Sequence, residues 1–173
     1  MRRLIGLFQF IHIITLVVFL SSCGKSLNYI GQTAAAPQRI AINKASQDLT
    51  YWDAGEVSIR YKIIDNKESL SVSGSVQIDD SILYTFPSVK FFYLYLYLLD
   101  VNGLATSRHD ISPLYSSHAT FPDQLQFSRR LPKDEGTVSI AFSYWGVFEE
   151  RSSILRRRSD DWEIHHNPFM EKL

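Results

Sequence analysis

Regular alternation of apolar and polar residues is the main structural signal in this chain. From Ser69 to Ile78, every second residue is apolar or glycine, and the residues between them are serine or glutamine. A strand has a side-chain period of two and places these sets on opposite faces, whereas a helix would mix them. The stretch therefore predicts a strand with one buried face. Gly74 within it predicts a bulge or a close backbone approach.

The same period of two recurs in further segments. The predicted inward sets are Val57, Ile59, Tyr61 and Ile63; Phe92, Leu94, Leu96 and Leu98; Leu125, Phe127, Arg129 and Leu131; and Val138, Ile140, Phe142 and Tyr144. Turn signals such as Asp65-Asn66 and Asn102-Gly103 separate the segments, and no ten-residue helical pattern lies between them. The pattern predicts an all-β fold, an antiparallel β-sandwich.

Part of this region resembles a known kind of module. Residues 69–103 contain a Ser-Gly-Ser-Val strand, then an aromatic strand ending in Tyr97-Leu98-Leu99-Asp100, then an Asn-Gly turn. These features resemble small immunoglobulin-like modules of bacterial envelope lipoproteins, such as the FxLYD type. The resemblance implies an immunoglobulin-like β-sandwich and carries over no functional residue.

The N-terminus has the layout of an export signal. Arg2 and Arg3 precede an apolar stretch over residues 4–20, and the run Leu20-Ser21-Ser22-Cys23 follows. This run resembles the lipobox of bacterial lipoproteins. The resemblance implies that residues 1–22 are a signal peptide removed before Cys23, and that Cys23 carries covalent lipid such as palmitate.

The expected location follows from this resemblance. The protein would be anchored in a membrane of the bacterial envelope and face the periplasm. Gly24, where an aspartate would favour the inner membrane, makes the outer membrane the expected one. The alternative is an uncleaved transmembrane anchor with an incidental cysteine, and its arginines would orient the chain the same way.

The pattern divides the chain into four segments, of which residues 1–22, the signal peptide, are the first. Residues 23–50 are expected to be an acylated N-terminus and flexible tether spanning about 30 Å, with a first short strand near Ile40 and Ile42 as an alternative. Residues 51–150 are expected to form the β-sandwich. Residues 151–173 are a charged tail in which Trp162 and Ile164 predict an edge strand that ends before Pro168.

Composition narrows the class of protein. A 173-residue chain with 45% hydrophobic residues is long enough for one domain and too apolar to be disordered. Its single cysteine excludes an internal disulfide framework. Without residues 1–22 the chain has 16 basic and 18 acidic residues, a net charge of −2. This balance argues against nucleic-acid binding.

Two candidate contact surfaces stand out. Tyr93, Tyr95 and Tyr97 lie on one face of the predicted aromatic strand. Either the protein's own chain covers this stripe, or the stripe contacts a protein or a glycan. The second candidate is the run of Arg156, Arg157 and Arg158, which is either a self-neutralised solvated loop or a contact for lipid or lipopolysaccharide phosphates.

Signals for metal binding and catalysis are weak. His165 and His166 are adjacent and would point to opposite faces of a strand. The acid pairs Asp79-Asp80, Glu149-Glu150 and Asp160-Asp161 are neighbours only in sequence, and the serines before His118 lack a Gly-x-Ser-x-Gly elbow. We therefore expect no catalytic residue, no metal and no cofactor beyond the lipid on Cys23.

These observations support one expected function and two alternatives. We expect a non-catalytic lipoprotein whose β-sandwich binds another envelope protein as an interaction or assembly module. One alternative is a module that binds envelope glycan or lipid. The other is a small hydrolase, which would gather His109, His118 or the acid pairs in one concave site.

Overall fold

The protein is a β-sandwich with one short helix. The computed structural model describes residues 28–42, 48–66, 68–113, 124–150 and 161–169. Over these residues the strands are β1 Ile40–Ala41, β2 Thr50–Asp53, β3 Val57–Asp65, β4 Ser69–Ile78, β5 Ser88–Leu99, β6 Ala105–Asp110, β7 Leu125–Pro132, β8 Ser139–Glu149 and β9 Asp161–His166. The helix α1 covers Asp80–Thr85, and a 3₁₀ turn covers Ala36–Gln38.

Two antiparallel sheets pack face to face, which confirms the predicted fold class. One sheet has four strands in the order β2-β3-β4-β7. The other has five, with β8 and β5 at its centre and β6 on the far side of β5. Strands β1 and β9 occupy the same edge of β8, since β1 pairs with the beginning of β8 and β9 with its end.

The core lies between the sheets and consists of the alternating apolar sets. The predicted inward side chains of β3, β4 and β5 are all buried, and each buried aliphatic side chain stabilises the fold by about 1.5–3 kcal/mol. Two predicted members were wrong: Val138 precedes β8 and is 46% exposed, and Arg129 on β7 is only half-buried. Ser139, Ala141 and Ser143 are buried as well, because other parts of the chain cover the outer face of β8.

Three elements were not predicted from the pattern: β2, β6 and α1. The helix begins after Asp79, whose carboxylate accepts hydrogen bonds from the backbone N–H and the hydroxyl of Ser81. These bonds hold the pKa of Asp79 below its ordinary value. The acid pair Asp79-Asp80 therefore has a structural role at the start of this helix.

The N-terminal boundary of the folded domain lies earlier than predicted. Residues 28–42, here called the N-terminal segment, cross the outer face of the five-stranded sheet and end in β1 beside β8. Ala34 is 1% exposed, and its N–H donates to the carbonyl of Gly103 at 2.9 Å. A flexible tether through residue 50 is thus wrong for this segment, because Ala34 and Ile42 are buried and backbone N–H groups along the segment donate to carbonyls of residues 103–105 and 138.

The C-terminal edge strand is confirmed. Strand β9 pairs with the second half of β8, Ile164 is buried, and the strand ends before Pro168. Lys90 on β5 reaches across to Asp161 at 2.8 Å and to Glu149 at 3.6 Å. These ion pairs connect β5, β8 and β9 at this end of the sheet. Asp161 and Glu149 each belong to a predicted acid pair.

Candidate functional site

The three tyrosines proposed as a contact stripe lie on the outer face of the five-stranded sheet, in unequal environments. Tyr93 is 39% exposed, Tyr95 is half-buried and Tyr97 is fully buried. The stripe is therefore divided along β5. Its first half is open to solvent, and its last member belongs to the interior.

Tyr97 is covered by both ends of the described chain. The ring of Tyr29 lies 5.8 Å from that of Tyr97, and Phe169 packs edge-on to Tyr97 at 5.0 Å. The N–H of Tyr29 donates to the hydroxyl of Tyr97 at 3.4 Å, and burial raises the pKa of that hydroxyl. The alternative in which the protein covers its own stripe is thus correct for Tyr97.

Four rings remain together on the open half of the face, and we call them the aromatic cluster: Phe91, Tyr93, Tyr95 and Trp145. Tyr93 stacks on Tyr95 at 6.2 Å, and Phe91 meets Trp145 edge-on at 4.7 Å. Tyr93 also lies 5.6 Å from Phe91 and 6.3 Å from Trp145. Strand pairing creates this group, because Tyr93 is directly opposite Trp145 in the register of β5 and β8.

Polar groups of both signs surround the aromatic cluster. The guanidinium of Arg108 lies 4.7 Å from the centre of the Tyr95 ring, a cation–π contact. The indole N–H of Trp145 donates to Glu163 at 3.0 Å. Partial burial, followed by the charge of Asp110, raises the pKa of Tyr95, while Arg108 opposes this shift. The surface is therefore apolar at its centre, with a rim of mixed charge.

The contact stripe predicted from the sequence contains two members of the aromatic cluster, Tyr93 and Tyr95, and lacks Phe91, Trp145 and the neighbouring Arg108. On β8, Trp145 is an odd-numbered residue, whereas the inward residues Phe142 and Tyr144 are even-numbered, so the alternation predicts that Trp145 points outward. The sequence does not predict its position beside Tyr93, because that position depends on the register between two strands far apart in sequence.

Several predicted sites lie outside the described residues. These are the lipidation site Cys23, the candidate anion contact Arg156, Arg157 and Arg158, and His118. Their assignments stay predictions.

The candidate catalytic histidines that the structure describes are dispersed, and of the acid-pair residues it describes only Glu149 and Asp161 come together, at Lys90. His109 is on β6, where its Nε2 lies 3.1 Å from the Ser107 hydroxyl, and burial lowers its pKa. His165 is exposed, whereas His166 packs inward against Trp52 at 5.2 Å, so the two point to opposite sides as predicted. Within the described ranges, no group of three His, Cys, Asp or Glu side chains is placed to hold a metal ion.

A shallow groove of about 600 Å³ lies on the other sheet. It opens beside Gly74, where Lys62, Ser73 and Arg129 contribute polar groups and Phe127 contributes an apolar wall. The groove is open to solvent and does not contain His109 or an acid pair, so it does not assemble the predicted hydrolase groups.

The comparisons with known proteins indicate no function for this chain. The chain matches no protein-family model, no curated protein and no solved structure. Among the residues that the structure describes, no helix has the length and apolarity needed to cross a membrane.

Proposed function

We propose that this protein is a lipid-anchored component of the bacterial envelope, and that its β-sandwich is a non-catalytic interaction module. The Leu20-Ser21-Ser22-Cys23 run supports the anchor, with lipid on Cys23. The observation that carries the interaction role is the aromatic cluster, whose four adjoining rings stay partly accessible on the outer face of the five-stranded sheet.

The size and chemistry of the cluster support a contact surface. Aromatic side chains bury more area than most others, roughly 150–250 Å² each, and their polar edges keep hydrogen bonds when the faces are covered. Large exposed apolar patches on monomeric domains often mark binding sites. The rim of Arg108, Asp110 and Glu163 surrounds the apolar centre as polar rims do at interfaces.

The angles between the rings favour a partner whose surface is deformable or complementary in shape over a sugar. A flat platform that stacks on several sugar units of a polysaccharide needs aromatic rings that lie close to one plane. Here Trp145 is inclined 33° to Tyr93 and 67° to Phe91. An envelope protein or a lipid surface can fill the spaces between such tilted rings, so the glycan alternative is less well supported.

In-cell photocrosslinking tests the contact surface. A photoreactive amino acid replaces Tyr93, and in a second strain it replaces Tyr51, a matched control on the opposite sheet that is 57% exposed. We expect a discrete light-dependent adduct, with protein or lipid, from position 93 and none from position 51.

Two outcomes contradict the proposal. Acylated and folded protein that gives no adduct from position 93 would show that the cluster contacts nothing in the envelope. Adducts of the same pattern from positions 93 and 51 would show that the contacts are random collisions rather than the use of one face.

A further inference from the structure

The N-terminal segment enters the fold on the same face as the aromatic cluster. Tyr29 packs on Tyr97 at 5.8 Å and on Phe169 at 5.1 Å. Tyr97 is two residues beyond Tyr95 on β5 and has the same parity, so both side chains leave the sheet on one side. The described chain therefore begins on the same face as the aromatic cluster.

The tether to the proposed lipid is short. Only residues 24–27 separate Cys23 from Asn28, the first described residue, and fully extended chain covers at most about 18 Å between them. Along β5, Phe91 lies six residues from Tyr97, a distance of about 20 Å. The tether is thus about as long as the distance from Tyr97 to the far end of the aromatic cluster, so it can bring the anchored cysteine level with the cluster.

The position of Tyr29 also makes the opposite orientation the longer path for the tether. Strand β2 and its partners form the other sheet, about 10 Å behind the five-stranded sheet. For that sheet to face the bilayer, the short tether would have to pass around the edge of the sandwich, which uses much of its length. The shorter path leads from the anchored cysteine to the five-stranded sheet.

The chemistry of the cluster matches that environment. Tyrosine and tryptophan side chains concentrate at the boundary between lipid headgroups and acyl chains, because their rings are apolar and their edges form hydrogen bonds. The rim combines Arg108 with Asp110 and Glu163, so it has no excess of positive charge that would attract anionic headgroups. A contact with lipid would therefore depend on apolar burial and respond little to salt.

We propose that Phe91, Tyr93, Tyr95 and Trp145 rest in the headgroup region of the bilayer that holds the Cys23 lipid. This inference rests on the proposed lipid anchor. Acyl chains hold the protein on the membrane, and the aromatic cluster orients it. The outer face of the four-stranded sheet, including Tyr51 and Arg60, then points away from the bilayer.

Depth-dependent quenching tests the orientation. Full-length acylated protein with Tyr93→Cys or Tyr51→Cys is labelled at the new thiol with an environment-sensitive fluorophore, since acylation occupies the Cys23 sulfur. Each protein is inserted into vesicles of phosphatidylethanolamine and phosphatidylglycerol containing nitroxide-labelled lipid. We expect a blue shift and strong quenching at position 93 and neither at position 51, with no loss at high salt.

A second measurement avoids the label. In the unlabelled protein, nitroxide lipid should quench part of the tryptophan emission, and Trp145→Phe should remove most of the quenched part. Trp162→Phe is the control, because Trp162 stacks on Phe86 at the edge of the sandwich rather than in the cluster.

The outcomes separate this inference from the function on which it rests. If the protein floats with the vesicles but positions 93 and 51 are quenched equally or not at all, the membrane contact is overturned and the anchor stands. A protein adduct from position 93 in cells would then identify a protein as the occupant. If the acylated protein does not float with vesicles, the anchor and the inference fail together.

Discussion

Gly74 lies where two strands of the four-stranded sheet approach most closely. A Cβ atom at this position would stand 2.9 Å from the Cα of Tyr61 and would overlap the carbonyl oxygen of Arg60. Both neighbours are backbone atoms of β3, which cannot turn away as a flexible side chain can. The close approach expected from an isolated glycine in a strand is confirmed.

Replacing this glycine should therefore destabilise the protein. We expect Gly74→Ala to lower the free energy of unfolding by about 1–3 kcal/mol, because the added methyl group forces β3 and β4 apart. Urea unfolding followed by fluorescence measures the change. Gly136→Ala is the control, since nothing lies within 4 Å of a Cβ there, and it should change stability by less than about 0.5 kcal/mol. Equal effects at both positions would contradict the argument.

The buried tyrosines make stability depend on alkaline pH. Burial raises the pKa of Tyr61, Tyr97 and Tyr144 above the ordinary 10.0, and Tyr144 also donates to the Glu56 carboxylate at 3.2 Å. The unfolded chain loses these protons as the pH passes about 10, whereas the folded chain keeps them. These tyrosines therefore do not change the free energy of unfolding with pH below about pH 9. Above pH 10 the free energy of unfolding falls, by up to about 1.4 kcal/mol per pH unit for each tyrosine.

Tyr144→Phe tests this dependence. The variant should be less stable near neutral pH by about 1 kcal/mol, because the bond to Glu56 is lost. Its stability should also fall less steeply between pH 10 and 11 than that of the wild type, as measured by urea midpoints. Tyr84→Phe, at a side chain that is 92% exposed, serves as the comparison. An unchanged alkaline slope in Tyr144→Phe would rule out a role for its proton.

At the scale of elements, the N-terminal segment closes one end of the five-stranded sheet. Its backbone exchanges hydrogen bonds with the beginning of β6, where Gly31 donates to Ala105 and Ala105 donates to Gln32. Further along, Ala35 donates to the carbonyl of Pro168, which joins the two ends of the described chain. The segment thus covers side chains of the sheet that would otherwise be exposed.

Hydrogen exchange tests this arrangement. The amides of Ala34 and Ala35 should exchange slowly, because both donate to backbone carbonyls at 2.9 Å. Phe169→Ala should speed their exchange, since it removes the ring that packs on Tyr29 and Tyr97, while amides in β3 and β4 keep their protection. Exchange of residues 28–36 at the rate of an unfolded chain in the wild type would contradict the packing of the segment.

The whole molecule combines a short tether with an asymmetric sandwich. One outer face carries the aromatic cluster, and the other carries a serine-rich strand between the strands of Arg60 and Arg130. Because the N-terminal segment is packed, the span of about 30 Å predicted for the tether shortens to at most about 18 Å. Under the proposed lipid anchor on Cys23, the domain would thereby be held close to the membrane.

The anchor itself can be tested with one substitution. Wild-type protein grown with a clickable palmitate analogue should take up the label and remain in the membrane fraction. Cys23→Ser should take up none, because a hydroxyl does not replace the thiol as the acceptor of the thioether-linked lipid. A wild-type protein that stays in the membrane without the label would instead support an uncleaved apolar anchor.

The sequence by itself determined the strands with one buried face, since a period of two is a local property that a few neighbouring residues express. It also placed Tyr93, Tyr95 and Tyr97 on one side of β5. Strands β2 and β6 were not predicted because they are short and their exposed residues interrupt the alternation. The residue at which the tether ends was not predicted because a packed segment without regular secondary structure has no periodic pattern.

Only the tertiary structure decided which residues of the face are covered. Tyr97 is buried by Tyr29, 68 residues earlier, and by Phe169 near the other end of the chain. Trp145 joins Tyr93 through the register of β5 and β8. Contacts of this kind depend on where distant segments meet, and the free energy that selects them comes from area buried between those segments rather than from local backbone preference.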